Sequence, residues 1–174
     1  MAAGAASWTF TEDDFQAITG SLQRFLYESN ARCALLVDRA GQLVAPIGEA
    51  PAFDATAFAS LTAADFSAND QLARLIGETD FTTLFHQGER ESMYLADIAR
   101  RIILVVLFDN RTTLGLVRLK LKAVVEELSR MFEAVFARGA DGARGAGSAL
   151  SIGAQLAPSD LLAGAEDEID RLFS

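Results

Sequence analysis

The stretch RIILVVLFDNRTTLG, residues 101–115, contains the most hydrophobic run of the chain and the polar corner that ends it. Residues 102–108 are all apolar, which is typical of a central strand covered on both faces of a sheet. The DNRTT that follows carries side chains that turn a chain and cap a helix. The sequence therefore predicts a buried strand that passes through this corner into a last helix, beginning near Thr112 or Thr113.

Arg111 lies in this corner, and the residues support two interpretations of it. An arginine on an exposed loop can act as an arginine finger, a side chain inserted beside the phosphates of a nucleotide that another protein holds. It can also be a turn residue where the strand gives way to the helix. The pattern alone leaves both open.

Two helices and four strands are predicted before this run. Thr11 caps a first helix, in which apolar residues recur at helical spacing to about Ser29. CALLVD and QLVAPI indicate two strands joined by a tight turn, and Pro46 is typical of an edge strand. A second helix runs from its cap at Asp54 to Gly77, and the strands FTTLFH and ESMYLADI follow.

These elements predict an α/β (α+β) fold in the order α-β-β-α-β-β-β-α. Short turns join most of the strands, which favours a five-stranded antiparallel sheet with helices on both faces. From Arg138 the chain is rich in Gly, Ala and Ser, a composition typical of a linker, and an acidic amphipathic segment follows it. The expected organisation is an N-terminal arm (1–9), one domain (10–137), a flexible linker (138–157) and a C-terminal docking helix (158–174).

The second helix has two stripes that differ in side-chain size. The larger apolar stripe is expected to face the sheet. The stripe of mostly small side chains is surplus to the core of one subunit, and small residues let another backbone approach. The first stripe comprises Leu61, Ala64, Leu72, Leu75 and Ile76, and the second comprises Ala59, Ala63, Ser67 and Gln71.

Composition excludes several classes of function. The net charge of −9 and pI near 4.6 disfavour nucleic acid as a partner. No apolar run approaches the roughly 18 residues that span a bilayer, so no membrane insertion is expected. A single buried Cys33 and no secretion signal favour the cytoplasm. The lone His86 is interpreted as a strand residue with local contacts; neither a catalytic or metal site nor a cofactor is expected, and no nucleotide-binding motif is present.

A basic cluster stands out in this acidic chain. Arg118, Lys120 and Lys122 follow Arg111 along the last helix. One interpretation is a solvated helix face that pairs with the acids at positions 126 and 127. The other is a contact surface for an acidic partner, and the sequence allows both.

The segments SLTAADFSANDQLARLIGE, FHQGERESMY and LVVLFDNRTTLGLVRLKLK resemble the Roadblock family, and in it the GTPase-activating proteins of bacterial cell-polarity systems. The resemblance covers about residues 10–137, and DEIDRLFS at the end of the chain is similar to a C-terminal helix of those proteins. It implies a homodimer in which the strand around Phe81 to His86 from each subunit joins the two sheets into one. The paired second helices then form a platform on one face.

The resemblance further implies a function without an active site of its own. One Ras-like small GTPase of the MglA type would bind each dimer on the platform, and Ala63, Ser67 and Gln71 are the expected contacts. The activator would favour the catalytic conformation of the GTPase, which makes Arg111 a structural turn residue. The C-terminal helix would dock on the GTPase and influence nucleotide exchange, through the anchors Ile169, Leu172 and Phe173.

Three alternatives to this interpretation are open. The first is a Roadblock scaffold that localises partners without stimulating hydrolysis, and further polarity proteins are conceivable partners of either form. The second is a hydrolase that uses His86, and the third is a small-molecule sensor. A cytoplasmic protein enriched at a cell pole is the expected location.

Overall fold

The computed structural model describes the backbone of residues 9–153 and the side chains of residues 9–141. Its elements occur in the predicted order α-β-β-α-β-β-β-α. They are α1 Glu12–Ser29, β1 Cys33–Asp38, β2 Leu43–Gly48, α2 Ala55–Leu75, β3 Thr83–Gln87, β4 Glu91–Ile98, β5 Ile102–Asp109 and α3 Leu114–Gly153.

The five strands form one antiparallel sheet in the order β2-β1-β5-β4-β3. The apolar run of residues 102–108 is the central strand β5, and all seven of its apolar side chains are buried. This confirms the prediction of a strand covered on both faces. Pro46 lies in β2 at the sheet edge, where its missing N–H leaves no ladder hydrogen bond unmade.

The first helix begins at the predicted cap. The Thr11 side chain accepts a hydrogen bond from the Asp14 backbone N–H (3.1 Å), and the Asp14 carboxylate accepts one from the Thr11 backbone N–H (2.9 Å). This reciprocal capping box satisfies two donors that the first turn would otherwise leave unpaired. The helix ends at Asn30, which has a left-handed φ of 55°, a conformation that Asn tolerates better than most residues.

The side chains of the central strands alternate between two faces. On one face, β1 and β5 pack against α2 and form a core with its buried residues Ala59, Ala63 and Phe66. The helices α1 and α3 lie on the other face. They run antiparallel, as two ion pairs between them show: Arg24 with Glu127 and Glu28 with Lys120. Burial on both faces of β1 and β5 makes this pair of strands the centre of the core.

The structure reverses the prediction for the two stripes of α2. Ala59 and Ala63 are packed against the sheet, whereas the larger apolar residues are exposed. The reason is distance: small side chains let the helix lie close to the sheet, and Phe66 is the largest fully buried side chain of the helix. The exposed residues are Leu61, Ala64, Leu72, Leu75 and Ile76.

The last helix is longer than expected. It continues to Gly153, so residues 138–153 of the expected linker are helical. Extending a helix that already exists needs no new nucleus, and the four alanines of this segment are the residues with the highest helix propensity. Residues Phe10–Val135 form one compact unit, and residues 136–153 belong to a second unit. The rest of the expected linker and the predicted C-terminal docking helix, residues 158–174, lie outside the described residues.

Candidate functional site

The strand β3 leaves one edge of the sheet open. It pairs with β4 on one side only, and four of its five residues are exposed. Its outer backbone N–H and C=O groups therefore form a ready template for a strand from another chain. Nothing within the described residues covers this edge.

The exposed side of α2 carries large apolar side chains. Leu61, Leu72, Leu75 and Ile76 have 71%, 53%, 82% and 71% of their surface exposed. These positions lie on one side of the helix, because at 3.6 residues per turn they fall within about 100° of one another. A group of this kind typically marks a protein contact.

Contacts between side chains tie β3 to α2. The His86 ring nitrogen Nε2 lies 3.0 Å from the Asp65 carboxylate, and Leu84 packs against the core beneath α2. His86 lies in β3, as the interpretation of it as a strand residue expected. We define the α2–β3 surface as the open edge of β3 together with the exposed Leu61, Leu72, Leu75 and Ile76.

The three residues predicted to contact a GTPase differ in exposure. Ala63 is 7% exposed and belongs to the core, so it does not offer a side chain to a partner, and this part of the prediction is corrected. Ser67 and Gln71 are exposed. Their role as partner contacts stays a prediction. The other predicted contacts, Ile169, Leu172 and Phe173, lie outside the described residues.

Arg39 clamps α2 to the sheet. Its guanidinium donates to the Asp70 carboxylate of α2 (2.7 Å) and to the Asp97 carboxylate of β4 (2.5 Å), and it lies 4.5 Å from the centre of the Phe66 ring. Burial lowers the pKa of Arg39, but the hydrogen bonds to Asp97 and Asp70 outweigh burial and raise it. The clamp holds one end of α2 in place.

The sequence gives no signal for this clamp, because Asp70 and Asp97 lie 31 and 58 residues from Arg39. Beside it lies an open polar cavity of about 340 Å³. Ser67 and Arg74 of α2 line one wall, and Asp80 and Arg100, which pair at 2.9 Å, line another. The predicted contact Ser67 thus lies at the mouth of a preorganised charged pocket.

Arg111 is held by two carboxylates at the corner between β5 and α3. Its Nε donates to both Asp109 oxygens (2.9 and 3.1 Å), and one of its terminal nitrogens donates to Glu49 (2.9 Å). The hydrogen bonds with Asp109 and Glu49 raise its pKa. Asn30 donates to the Arg111 backbone carbonyl (2.9 Å). These contacts favour the turn-residue interpretation over the arginine finger.

The same corner begins α3 as predicted. The Asp109 side chain accepts from the Arg111 backbone N–H (3.0 Å), and the Thr113 hydroxyl accepts from the Leu116 N–H (3.3 Å). Glu49 also accepts a hydrogen bond from Arg32 (2.9 Å). The corner is therefore closed by a small charge network that joins three separate parts of the chain.

One residue of the basic cluster, Lys120, pairs with α1 rather than along its own helix. Lys120 lies 3.0 Å from Glu28, and Glu127 lies 2.8 Å from Arg24. The expected pairing within α3 is therefore wrong for Lys120 and Glu127, because the antiparallel neighbour helix places opposite charges closer. Arg118 and Lys122 remain exposed.

Other features of the described residues bear on chemistry. Cys33 is buried, and burial raises the pKa of its thiol, which confirms the interpretation as a small core residue. Between residues 9 and 153, no group of three or more His, Cys, Asp or Glu side chains could hold a metal ion. In the same part of the chain no helix has the length and apolar character to cross a membrane.

The element order and the sheet topology define an α+β domain of the Roadblock type. A profile of the Roadblock/LC7 domain matches residues 20–108, and the chain belongs to this family. Among its solved members, MglB of Myxococcus xanthus is 43% identical with a TM-score of 0.66, and the alignment covers 69% of this chain and 98% of that one.

Two further MglB structures are similar over nearly their whole length. The gliding protein MglB of Thermus thermophilus is 33% identical with a TM-score of 0.70, covering 75% of this chain and 99% of that one. An MglB with a tetrameric arrangement is 32% identical with a TM-score of 0.70, covering 76% and 99%. A comparison with curated proteins gave no match.

Proposed function

We propose that this protein is a homodimeric regulator of a Ras-like small GTPase of the MglA type, and that it stimulates GTP hydrolysis in bacterial cell polarity and gliding motility. The observation that carries the proposal is the α2–β3 surface on a chain 43% identical to an MglB. It combines an open strand edge with exposed large apolar side chains on the neighbouring helix.

Dimerisation uses this surface. Two β3 edges pair antiparallel and extend the sheet across both subunits, which satisfies the backbone groups that each edge leaves open. The exposed Leu72, Leu75 and Ile76 of the two α2 helices then bury one another. Burial of large apolar side chains contributes about 1.5 to 3 kcal/mol each, which is the main favourable term in such an association.

The GTPase binds on the paired α2 helices. Ser67 and Gln71 lie on a side of α2 that is accessible in one subunit, next to the charged pocket that Arg39 stabilises. Arg39 fixes this flank of α2 against the sheet, so a partner meets a surface that needs little reorganisation.

Activation proceeds by selection of a conformation of the GTPase. The Arg111 guanidinium is engaged by Asp109 and Glu49, so the protein supplies no arginine finger from this corner. A regulator without a catalytic side chain can still accelerate hydrolysis if it binds the catalytic arrangement of the GTPase more tightly than the inactive one. The protein is then a regulator and not an enzyme.

Residues 158–174 provide a second contact with the GTPase. Their anchors Ile169, Leu172 and Phe173 are spaced i, i+3 and i+4 on an acidic background, a pattern that suits an amphipathic helix laid into an apolar groove. Docking of this segment away from the dimer platform influences nucleotide exchange.

The test measures GTP hydrolysis by an MglA-type GTPase with and without this protein, and with its Arg111→Ala variant. We expect stimulation that the variant retains to within about twofold, whereas loss of an arginine finger lowers the rate by about 10³-fold or more. The variant must still bind the GTPase in a parallel titration. If the protein binds the GTPase but does not stimulate GTP hydrolysis, activation is contradicted. The function would then be that of a Roadblock scaffold that localises its partners.

A further inference from the structure

The open polar cavity of about 340 Å³ beside the Arg39 clamp lies on one flank of α2. Several separate segments of the chain line it, among them α2 with Ser67 and Arg74, the loop after α2 with Thr79, and the turn between β4 and β5 with Arg100. In the function proposed above, Ser67 is a contact for the GTPase. An occupant of this cavity would therefore belong to the same interface.

Three of the lining side chains offer hydrogen-bond donors that the subunit itself does not use. The hydroxyls of Ser67 and Thr79 and the guanidinium of Arg74 make no hydrogen bond or ion pair with another described residue. All three residues are exposed. Hydroxyl and guanidinium groups bind oxyanions in proteins, and a guanidinium can hold both oxygens of a carboxylate at once. The unused donors of this cavity therefore suit an anionic occupant.

The two acids that line the cavity are already engaged. Asp70 precedes Arg74 by about one turn on the same side of α2, but its carboxylate accepts a hydrogen bond from Arg39 (2.7 Å). Asp80 pairs with Arg100 (2.9 Å). These two carboxylates repel a doubly charged phosphate more strongly than a singly charged carboxylate. A carboxylate is therefore the anion that the cavity favours.

The dimer proposed above leaves this cavity accessible. That dimer buries Leu72 and Ile76 between the two α2 helices. At 3.6 residues per turn, Arg74 lies about 160° around the helix from each of them. The cavity and the dimer contact are therefore on opposite sides of α2, and a protein bound on the paired helices can reach Arg74 without displacing the partner subunit.

We propose that Arg74 binds the carboxylate of an Asp or Glu side chain of the GTPase, and that Ser67 and Thr79 donate hydrogen bonds to the same group. The inference rests on the function proposed above and deepens it by assigning the chemistry of one contact. Arg74 then helps to set which GTPase is accepted. A partner without an acid at this position leaves the guanidinium desolvated and unpaired.

The test titrates the full-length protein into an MglA-type GTPase loaded with a non-hydrolysable GTP analogue, and measures the heat of binding by calorimetry. Arg74→Glu should weaken binding about tenfold or more, because it replaces attraction with repulsion. Arg74→Gln removes only the charge and should weaken binding about threefold. The affinity of the original protein should fall as the salt concentration rises, and that of Arg74→Gln should fall less steeply.

The matched control is Arg130→Glu, the same charge change at an exposed position of α3, on the opposite face of the sheet from α2. It should leave the affinity for the GTPase unchanged. Circular dichroism and sedimentation velocity check the fold and the dimer of each Arg74 variant. We expect both to be retained, because the Arg74 side chain is exposed and makes no contact of these kinds within the described residues.

Alanine substitutions in the GTPase identify the carboxylate that Arg74 binds. Each exposed Asp or Glu beside the nucleotide site of the GTPase is replaced in turn and titrated with the original protein and with Arg74→Gln. For the acid that Arg74 binds, the two substitutions together should weaken binding no more than either one alone, because each already removes the contact.

Each failure has a distinct meaning. If the original protein does not bind the GTPase, the function proposed above and this inference are both overturned. If the original binds and Arg74→Glu binds equally well, only this inference is overturned. The same holds if Arg130→Glu weakens binding as much as Arg74→Glu does, if no acid of the GTPase is coupled to Arg74, or if Arg74→Gln loses the dimer.

Discussion

Arg39 joins three separate parts of the domain. It connects the turn after β1 with α2 and β4 through two carboxylates that are themselves mostly buried. We expect Arg39→Met to lower the free energy of unfolding by about 2 kcal/mol or more, because it leaves Asp70 and Asp97 without their cation. Urea denaturation measures this.

The control for Arg39 is Arg100→Met. Arg100 also pairs with an aspartate, Asp80, but its side chain is 72% exposed. An exposed pair contributes about 0 to 1 kcal/mol, so this variant should be nearly as stable as the original. Equal losses in the two variants would show that burial does not give the Arg39 clamp its strength.

Gly48 is required by the backbone where β2 ends. Its φ is +92°, and a Cβ atom would lie 2.7 Å from the Arg32 carbonyl oxygen and 2.7 Å from a Leu26 methyl. We expect Gly48→Ala to destabilise the domain by about 2 kcal/mol or more, through backbone strain and the clash. Thermal unfolding followed by circular dichroism measures the change.

Gly20 is the matched control for Gly48. It lies in α1 with a free space where Cβ would be, so Gly20→Ala should stabilise the domain by about 0.5 to 1 kcal/mol through helix propensity. The two alanine substitutions are thus expected to act in opposite directions. A melting temperature that Gly48→Ala leaves unchanged would contradict the role assigned to Gly48.

The helix α2 presents different chemistry on its two sides: one side packs against the sheet, and the other is the dimer contact proposed above. Its small residues let it lie against the sheet, and its leucines remain exposed. We expect Leu75→Glu, at a position 82% exposed, to weaken dimerisation at least about tenfold without changing the stability of the subunit, because a charge would be buried between two α2 helices. Sedimentation velocity measures the dimer.

Leu119→Glu is the matched control for Leu75→Glu. Leu119 is 69% exposed on α3, far from the α2–β3 surface in the fold, so the same substitution there should leave the dimer intact. If the Leu75→Glu protein still sediments as a dimer, Leu75 of α2 does not lie in the dimer interface.

The whole domain should lose stability in acid through its paired carboxylates. Hydrogen bonds from Arg32 and Arg111 hold the pKa of Glu49 below its ordinary 4.5, and hydrogen bonds from Arg111 hold that of Asp109 below 3.8. A carboxyl whose pKa is lower in the folded state stabilises that state above its unfolded pKa. This contribution is lost as the pH falls through the folded pKa.

We therefore expect the stabilisation from these groups to be complete and independent of pH above about pH 5, and the free energy of unfolding to fall below about pH 4.5. The Arg111→Ala variant should show a shallower fall, because it removes a partner from both carboxylates. Denaturation at several pH values measures this, with Lys122→Ala as the unpaired control. Identical pH profiles for the original and the Arg111→Ala protein would contradict the coupling.

Much of the fold follows from local patterns. The Thr11 cap, the Pro46 edge strand and the apolar run of residues 102–108 each predicted what the structure contains. These signals are reliable because capping, the missing proline N–H and the burial of a continuous apolar run depend on neighbours in the chain. The glycine-rich composition after Arg138 predicts a linker, but α3 continues to Gly153. Composition does not show that an existing helix can be extended without a new nucleus.

The candidate site was only partly predictable. Ser67 and Gln71 are exposed as expected, but Ala63 is buried and the Arg39 clamp had no local signal. Hydrophobicity measures how much a side chain gains from burial. It does not say how close a helix can approach a sheet, which decided the orientation of α2.

Residues adjacent in the chain are enough to predict the order of the elements, the central strand, the corner that follows it and the Roadblock resemblance. The packing of the helices on the sheet sets which side of α2 is exposed, that Glu49 holds Arg111, and that Lys120 pairs with Glu28 of α1. These are contacts between residues far apart in the chain, and their geometry depends on how the helices and the sheet pack together.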